Sequence, residues 1–481
     1  MLGMVCDLWA EVAVLGIALL LLISSLIFKN KIQLAKLDFL SMISMLAIVG
    51  CMLALNHHNT VDRFYLTDRL SVSVRVLILL IGFCTYMLPT WTRYANKEHH
   101  SSYGFIVMMA IFGMNIVAIA KDLMVLYIGL EIMSVAFYAL MAIDKNNRFA
   151  IDASIKYFIS SAFFSGIYIY GVSIVYVNYG STEMPISLLS SIANGSMLSF
   201  GLLMVVSGLL FKMGCVPFHM WTPDVYQGSP MFVTVLLSTA SKVAIIAPLI
   251  HLIPLLQTAA VMFYSVFKLI AISSIILGSL AALYQSNLKR LVAFSSVAHM
   301  GYVVLLIAFL LNQNLGSVNN NYFSVIMLYI FSYIVFTLGF LSFISLSTKS
   351  NRDSSDYELS NLEISVQHPL TNVLAVILLM SGVAIPPLSG FFAKFYVLNL
   401  VVENSPMLAV FLVIFIVVSS SYYIRIVIII CFAKNLQVNV DNNLILARSS
   451  SWWLLLITSL MCLFFVCYGG FLMNLIQPLL R

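Results

Sequence analysis

Several ionisable side chains lie within long apolar stretches of the sequence. They comprise basic residues, a glutamate and a histidine: Arg75, Lys156, Lys212, Lys242, Lys268, Lys394, Arg425, Glu131 and His299. Lysine, glutamate and histidine can take up and release a proton, whereas arginine keeps its proton. Ionisable groups in apolar surroundings are costly and are typical of pathways for protons or ions. The sequence therefore predicts a chain of proton-exchanging groups.

The composition indicates which elements must carry these groups. Of the 481 residues, 62% are apolar and only 9% are charged, and the mean hydropathy is +1.04. A soluble protein has about 25% charged residues, and a disordered chain has few apolar ones, so both classes are excluded. The apolar runs are continuous rather than alternating, which favours helices over a β-barrel. We expect an all-α membrane protein with many spanning helices.

The apolar runs predict about 14 transmembrane helices. Their approximate ranges are 8–27, 34–55, 70–91, 102–120, 123–142, 154–178, 196–213, 228–251, 258–283, 290–312, 322–347, 369–400, 406–433 and 451–475.

The distribution of basic residues between the helices tests this number. Loops after odd-numbered helices hold Lys29, Lys31, Lys36, Arg93, Lys97, Lys145, Arg148, Lys289, Arg290, Lys349, Arg352, Lys434 and Arg448, whereas the opposite side holds Arg63, Arg69, Lys121 and Arg481. Cytoplasmic loops carry an excess of Lys and Arg. The asymmetry predicts that both termini lie on the outer side. Because the N-terminus has Asp7 and Glu11 instead of a basic region, we do not expect a cleaved signal.

The depth of each ionisable residue in its run separates the candidates. Glu131 and Lys242 lie centrally in theirs, so a functional or ion-paired role is favoured. Lys268 is also central, but a static ion pair would explain it, and His299 fits a proton relay or a satisfied core histidine. Lys156 lies near a helix end, where a lysine can extend to the membrane surface. The two arginines are interpreted as structural.

Two helices contain residues that break a helix, each next to a lysine. Lys212 precedes Gly214 and Pro217, and Pro386 and Pro387 precede Lys394. Proline removes a backbone donor and clashes with the preceding turn. Irregular backbone at membrane depth is tolerated only within protein or beside a wet cavity. The alternative explanation is a proline kink used for packing, with the lysine extending to the membrane surface, but two such breaks favour a functional role for both lysines.

The breaks fall in predicted helices 7 and 12, which are an odd number of spans apart. Corresponding broken helices in inverted repeats indicate a transport site. The sequence therefore predicts two inverted five-helix repeats, at 102–251 and 252–433. A three-helix segment at 1–101 precedes them, and helix 14 at 434–481 follows them.

The cysteines and the net charge point to no further chemistry. The seven cysteines are isolated and form no CxxC pair, so an iron–sulfur or zinc site in this chain is not expected. The net charge of +6 resides in short connections between apolar runs, which does not indicate binding to nucleic acid.

Four stretches resemble a known family. They are GLEIMSVAFYAL, FKMGCVPFHMWTPDVYQGSP with the following STASKVA, LKRLVAFSSVAHMGY, and SGVAIPPLSGFFAKF. They are similar to the antiporter-like membrane subunits of proton-pumping NADH:quinone oxidoreductase (respiratory complex I). The WTPDVYQGSP string and Lys394 favour the N branch of that family. QGSP in place of the commoner EGAP-like ending leaves the chemistry unchanged.

This resemblance implies a role for each matching residue. Glu131 and Lys212 would form the coupled pair of one half-channel, Lys242 would link the halves, and Lys394 would face the outer half-channel. The possible relays or modulators are His299, Lys268, His219 and Lys156, with His219 equally consistent with structural hydrogen bonding.

The resemblance also implies partners and cofactors. The chain would be a translocase subunit in a bacterial inner membrane, beside sister antiporter-like subunits. NADH, flavin, iron–sulfur clusters and quinone would bind to other subunits, with no cofactor, metal or redox centre in this chain. Two alternatives remain at this point: a subunit of a multisubunit sodium/proton antiporter, and a structural membrane subunit whose buried charges are static pairs.

Overall fold

The computed structural model describes residues 8–27, 31–54, 60–88, 100–143, 147–184, 196–312, 320–347, 357–359, 369–432 and 449–465. These residues are almost entirely helical, apart from two short antiparallel strands, β1 (Thr60–Val61) and β2 (Leu66–Thr67). The helices are α1 (Trp9–Ile27), α2 (Lys31–Ala54), α3 (Arg69–Tyr86), α4 (His100–Ile119), α5 (Leu123–Ala142), α6 (Arg148–Tyr179), α7 (Ser196–Met213), α8 (Trp221–Gly228), α9 (Met231–His251), α10 (Ile253–Leu283), α11 (Leu288–Leu311), α12 (Asn320–Ser347), α13 (Pro369–Val383), α14 (Ser389–Asn404), α15 (Pro406–Phe432) and α16 (Ser449–Leu463).

The helices have the length and composition that a membrane requires. Among the described residues, nine helices are long and apolar enough to span it, and five shorter apolar helices have 10–17 residues. The prediction of a multi-pass, all-helical membrane protein is therefore confirmed. The predicted tails lie outside the described residues, as do most of the loop basic residues and the end of the predicted 451–475 helix.

Side-chain caps set the starts of several helices. Asp122 and Asn147 have extended backbones, and their side chains accept from Met124 N at 2.7 Å and Phe149 N at 3.0 Å. Such caps satisfy backbone donors that the first turn leaves unpaired. The cap at Asn147 explains why α6 begins at Arg148, earlier than the hydropathy predicted, since hydropathy does not register a polar first turn.

Both predicted helix breaks are confirmed. Helix α7 ends at Met213, and Gly214 follows with a φ of 73°. Helix α13 ends at Val383, and Ala384 follows with a φ of 72°. A left-handed residue at this position ends a helix, and it is unfavourable for alanine. The sequence did not predict that an eight-residue helix, α8, follows the first break.

The contacts divide the chain into two compact units. Unit 1 comprises Met1–Tyr86, Thr90–Met213 and Phe232–Phe263, and unit 2 comprises Met87–Pro89, Gly214–Met231 and Tyr264–Arg481. In unit 1, α9 packs against α3, α4 and α7, and α6 packs against α5 and α7. In unit 2, α12 packs against α11, α13, α14 and α16. These contacts show which helices pack together within each unit. They do not test the inverted repeats, which remain a prediction.

Helix α9 has the features of a central helix in unit 1. Every residue of its apolar window is buried, and its residues Leu236–Ala240 form a π-helical turn. Pro248 lies further along. A π turn changes the direction in which the following side chains project, and such turns are frequent at functional sites. The turn ends directly before Ser241 and Lys242, so it sets where Lys242 projects.

Candidate functional site

Lys212 is a buried amine held by two hydroxyl groups in unit 1. It lies in the last turn of α7 and is 4% exposed. Its Nζ donates to Ser134 Oγ on α5 at 2.5 Å and to Ser161 Oγ on α6 at 2.7 Å. The rings of Tyr157 and Phe211 lie 5.3 and 5.5 Å from Nζ. Hydroxyls can accept a hydrogen bond or donate one, so they can solvate both the charged and the neutral amine.

Glu131 lies one turn before Ser134 on α5 and accepts a hydrogen bond from Ser165 Oγ on α6. Its charge acts on Lys212. Within the described residues, however, the two side chains bond to serines and form no direct ion pair. Ser161 and Ser165 are one turn apart on α6, as Glu131 and Ser134 are on α5. The carboxylate and the amine are therefore attached to the same two helices through adjacent hydroxyls.

Lys242 is more deeply buried than Lys212. It is 1% exposed and follows the π turn of α9. Thr239 in that turn and Ser241 directly after it donate their hydroxyls to the carbonyls of Val235 and Leu237 at 2.6 and 2.7 Å. Unit 1 thus holds the three predicted residues Glu131, Lys212 and Lys242.

Lys394 lies in unit 2, on α14 after the second break. It is 5% exposed, and its Nζ donates to the Gly382 carbonyl at the end of α13 at 3.0 Å. The break therefore provides the acceptor for the lysine, because the helix ends shortly after Gly382. Gly390 makes this approach possible, since a Cβ there would collide with the Ser381 carbonyl.

A cavity adjoins Lys394 and His299. It has a volume of about 20 Å³ and is lined by His299, Tyr329, Ser332, Tyr333, Phe336, Ser381, Gly382, Gly390, Ala393 and Lys394. A cavity of this size has room for one water. His299 Nδ1 lies 2.8 Å from the Tyr329 hydroxyl, which fixes the imidazole at the cavity wall. Unit 2 thus brings His299 and Lys394 to the same cavity.

The remaining predicted relays and modulators have less enclosed surroundings. Lys268 is partly exposed on α10, with Nζ 5.5 Å from the Tyr264 ring. Lys156 has a 47% exposed side chain and pairs with Asp152 at 2.9 Å. The carbonyl of His219 accepts from Thr222 N and Oγ1 at 2.9 and 2.8 Å.

Arg75 and Arg425, interpreted as structural from the sequence, both have specific partners. Arg75 Nε lies 2.8 Å from Glu11 Oε1, and Nη2 donates to Oε2 at 3.0 Å, with both side chains almost fully buried. Arg425 donates to the carbonyls of Leu283 and Gln285 at 3.1 and 2.5 Å. The sequence did not predict Glu11 as the partner of Arg75, because the two are far apart in the chain.

Sequence reasoning also missed Lys289 and the serines around Lys212. Lys289 was expected in a loop, but it is 2% exposed, and its Nζ donates to the Ser229 carbonyl at 2.7 Å. Its position next to a polar connection concealed this burial. For Ser134 a signal was available, because a residue one turn from Glu131 shares its helix face.

The site has groups that exchange protons, and the structure offers no metal centre within the residues it describes. No cluster of three His, Cys, Asp or Glu side chains suited to a metal ion occurs there. Buried lysines, a carboxylate, a histidine and hydroxyls can pass protons without forming covalent intermediates. The fold and this site define a class: multi-pass helical membrane proteins with interrupted helices and buried lysines, as in ion-translocating membrane subunits.

Comparison with known proteins identifies the family. The model of the family described as NADH:quinone oxidoreductase/Mrp antiporter membrane proteins matches residues 120–420. NADH-quinone oxidoreductase subunit N of Pelagibacter ubique is 36% identical over 349 residues, covering 71% of each chain. That of Coxiella burnetii is 30% identical over 442 residues, covering 88% of each. The chain belongs to the NADH-quinone oxidoreductase subunit N family.

Solved structures share the fold over nearly the whole chain. A chain of respiratory complex I from Thermus thermophilus matches with a TM-score of 0.78 at 22% identity, covering 97% of this chain and 98% of that one. A chain of the Mrp complex from Dietzia also matches with a TM-score of 0.78, at 16% identity, covering 100% and 97%. At these identities the likeness concerns the fold.

Proposed function

We propose that this chain translocates protons as a membrane subunit of NADH:quinone oxidoreductase, through Glu131, Lys212, Lys242 and Lys394. Its membership of the subunit N family supports the activity. The observation that carries the residue assignment is the buried Lys212 amine, bonded to two serine hydroxyls and influenced by the Glu131 charge. A lysine in this setting can lose its proton without leaving an unsatisfied buried charge.

The coupling between Glu131 and Lys212 is electrostatic. Two opposite charges 4 Å apart attract by roughly 4 kcal/mol at an effective dielectric constant near 20, before desolvation is subtracted. Glu131 and Lys212 form no direct ion pair and are bonded to serine hydroxyls instead, so their actual attraction is smaller. When Glu131 is neutralised, Lys212 loses this support, and its proton passes toward Lys242. Moving a proton against the membrane potential requires about 2.3 kcal/mol per 100 mV, which is of the same order.

Lys242 passes the proton onward, and Lys394 releases it to the outer half-channel. His299 acts as a relay at the cavity that Lys394 lines. Lys268 and His219 are further candidate relays. Lys156 modulates the pair from the surface of the chain, because its side chain is largely exposed.

The organisation of the chain follows from the same proposal. We assign fourteen spanning helices, with inverted five-helix repeats at 102–251 and 252–433 between a segment at 1–101 and a last helix at 434–481. The two interrupted helices support the repeats, because each has a left-handed residue after its first half and a buried lysine beside the break. Both termini lie on the outer side of a bacterial inner membrane, as the basic residues indicate.

The energy for transport comes from neighbouring subunits. We propose that the other membrane subunits of the complex, including sister antiporter-like subunits, are its partners. NADH, flavin, iron–sulfur clusters and quinone bind elsewhere in the complex. This chain contributes protonatable side chains, and electron transfer elsewhere changes the charge that Glu131 experiences.

The test is Lys212→Ala in the assembled complex, with acidification of membrane vesicles followed by a pH-sensitive dye during NADH oxidation. We expect most of the proton pumping to be lost at normal assembly. Lys121→Ala is the control, because Lys121 donates to the Asp62 carbonyl and is not one of the residues proposed to carry protons. Full pumping by an assembled Lys212→Ala complex would reject the assignment.

A sodium/proton antiporter subunit is the second candidate function, because the matching family model includes Mrp antiporters. It predicts sodium-dependent transport that needs no NADH. Co-purification of the chain with NADH-oxidising subunits, and transport unaffected by removing sodium, would support the oxidoreductase. The opposite pair of results would support the antiporter.

A further inference from the structure

Three buried hydroxyl groups of unit 2 connect α8, α11 and α12. Tyr226 is on α8, Ser296 on α11 and Tyr333 on α12. Their exposed fractions are 0%, 0% and 3%. None of them is among the glutamate and lysine residues proposed above to carry protons. Buried hydroxyls in apolar surroundings must find hydrogen-bond partners, and here they find one another.

Ser296 is the centre of this group. Its hydroxyl donates to the Ala293 carbonyl at 2.7 Å. Both Tyr226 and Tyr333 hydrogen-bond to its side chain. A serine oxygen has one proton and two lone pairs. With its proton directed at Ala293, Ser296 accepts from both tyrosines.

The Tyr333 end of the group reaches the cavity beside Lys394. Tyr333 lines this cavity together with Lys394 and His299, and the volume of about 20 Å³ has room for one bridging water. The Lys394 amine uses one hydrogen for the Gly382 carbonyl. An ammonium group has three hydrogens, so others can be directed into the cavity.

The Tyr226 end is held in place by hydrogen bonds between α11 and α8. Arg290 on α11 bonds to Asp224 Oδ1 at 2.7 Å and to Gln227 Oε1 at 2.9 Å, on either side of Tyr226 in α8. Asn287 caps the start of α11. Helix α8 is thereby fastened to the helix that carries Ser296. The contact between Tyr226 and Ser296 is consequently preorganised. Helix α8, which carries Tyr226, follows the break after Lys212 in sequence.

We propose that Tyr226, Ser296 and Tyr333 form a proton relay to Lys394, with rotation of the Ser296 hydroxyl as its gate. The proposal rests on the function proposed above and adds three residues to it. While Ser296 donates to Ala293, both tyrosines point their protons at it, and no proton can pass. Rotation of the Ser296 hydroxyl toward Tyr333 aligns the donors in one direction.

The transfer is balanced. Tyr333 gives its proton, through the cavity water, to the neutral amine of Lys394, and the Tyr333 oxygen takes the proton of Ser296. Ser296 takes the proton of Tyr226, and the proton that Lys242 passes onward, carried by a hydronium ion, restores the proton of Tyr226. Only O–H and N–H bonds form and break, and rotation of the hydroxyls resets the relay.

The test uses Tyr333→Phe in the assembled complex, which removes the hydroxyl and keeps the ring. We expect NADH-driven acidification of vesicles to slow about tenfold, at normal assembly. The matched control is Tyr322→Phe. Tyr322 is on the same helix and 3% exposed, and its hydroxyl accepts from Asn404 Nδ2 at 2.6 Å, outside the relay. The control should pump as the unmodified complex does.

A double variant distinguishes a relay from a structural role. If two groups act in series in one relay, removing either of them interrupts the same path. Tyr226→Phe combined with Tyr333→Phe should therefore pump no more slowly than Tyr333→Phe alone. Independent structural losses would instead multiply. If Tyr333→Phe does not assemble, Ser296→Ala makes the same test, with Ser296→Thr expected to restore pumping because it keeps a hydroxyl.

Lys394→Ala separates the two levels of the proposal. Normal pumping by Tyr333→Phe, with pumping lost in Lys394→Ala, would overturn the relay and leave the function of Lys394 intact. Normal pumping by Lys394→Ala would overturn the assignment of Lys394 itself.

Discussion

Among the described residues of unit 1, the carboxylates of Glu11 and Glu131 each have a cationic neighbour, and the two arrangements are built differently. Glu11 and Arg75 meet directly through both oxygens, at 2.8 and 3.0 Å. Glu131 and Lys212 instead bond to the hydroxyls of Ser165, Ser134 and Ser161. Both arrangements lie among apolar helices, but Glu11 is 4% exposed whereas Glu131 is only partly buried.

The difference shows how a pair of opposite charges can be held in one protonation state or left able to change it. A guanidinium keeps its proton and matches a carboxylate with two parallel contacts. Its pairing with Glu11 therefore has one stable state. A lysine amine can be charged or neutral, and serine hydroxyls stabilise both forms. We infer that Glu11–Arg75 joins helices, whereas Glu131–Lys212 can switch.

Of the variants considered, Arg75→Ala should have the largest energetic effect, and that effect should be on stability. It leaves Glu11 charged and buried without its partner, at a cost of about 3–5 kcal/mol. We expect less assembled complex and a lower unfolding temperature, but normal pumping per assembled complex. Glu11→Leu combined with Arg75→Met should restore assembly, because apolar replacement of both partners is often neutral. Immunodetection and thermal unfolding of the purified complex provide the measurements, and failure of the double variant to restore assembly would contradict a purely structural pair.

Glu131→Ala should affect transport instead. We expect proton pumping to fall about tenfold or more, equivalent to a barrier higher by about 1.4 kcal/mol, in a complex that still assembles. Replacing both partners, with Glu131→Gln and Lys212→Met, should not restore pumping. If that double variant pumped normally, the pair would be as static as Glu11–Arg75, and the chain would fit a structural subunit.

Lys394 extends the comparison to a lysine bonded to the Gly382 carbonyl. If Lys394 is a relay, Lys394→Glu should be milder than Lys394→Ala, because a titratable group remains. We expect the glutamate variant to retain several times more pumping, a difference of about 1 kcal/mol in barrier height. Vesicle acidification with both variants measures it, and equal loss would count against a relay.

Asp68 and His251 form a third pair, which we expect to have the smallest effect. His251 Nε2 lies 3.0 Å from Asp68 Oδ2, and the side chains are 11% and 30% exposed. Burial alone would raise the pKa of Asp68, but the hydrogen bond and charge of His251 lower it below its ordinary value. The resulting stability is therefore present above about pH 4, the ordinary carboxyl pKa, and is lost as the pH falls further.

Asp68→Asn should lower stability by about 0.5–1 kcal/mol near pH 5, as for a partly exposed pair. Thermal unfolding of the purified complex near pH 5 and near pH 3 tests this, since the gap between the variant and the unmodified complex should narrow at the lower pH. A gap that widened toward pH 3 would contradict the direction given for Asp68.

The amino-acid sequence by itself determined the membrane class, most helix positions and both interruptions. Long apolar runs leave the backbone no option but helices, and Gly214, Pro217 and the pair Pro386–Pro387 end helices through local geometry. The burial of Lys212 and Lys394 within the protein was also predictable, because a charge inside an apolar run has no loop to occupy.

Only the tertiary structure decided which partner each buried group has. Glu11 and Arg75 are distant in the chain, so no local pattern joins them. The serines that hold Lys212 come from two other helices, and Lys289 turns inward although it follows a polar connection. Hydrogen bonds extend over about 3 Å, so the choice of partner depends on how helices are packed and rotated, which hydropathy and spacing do not specify.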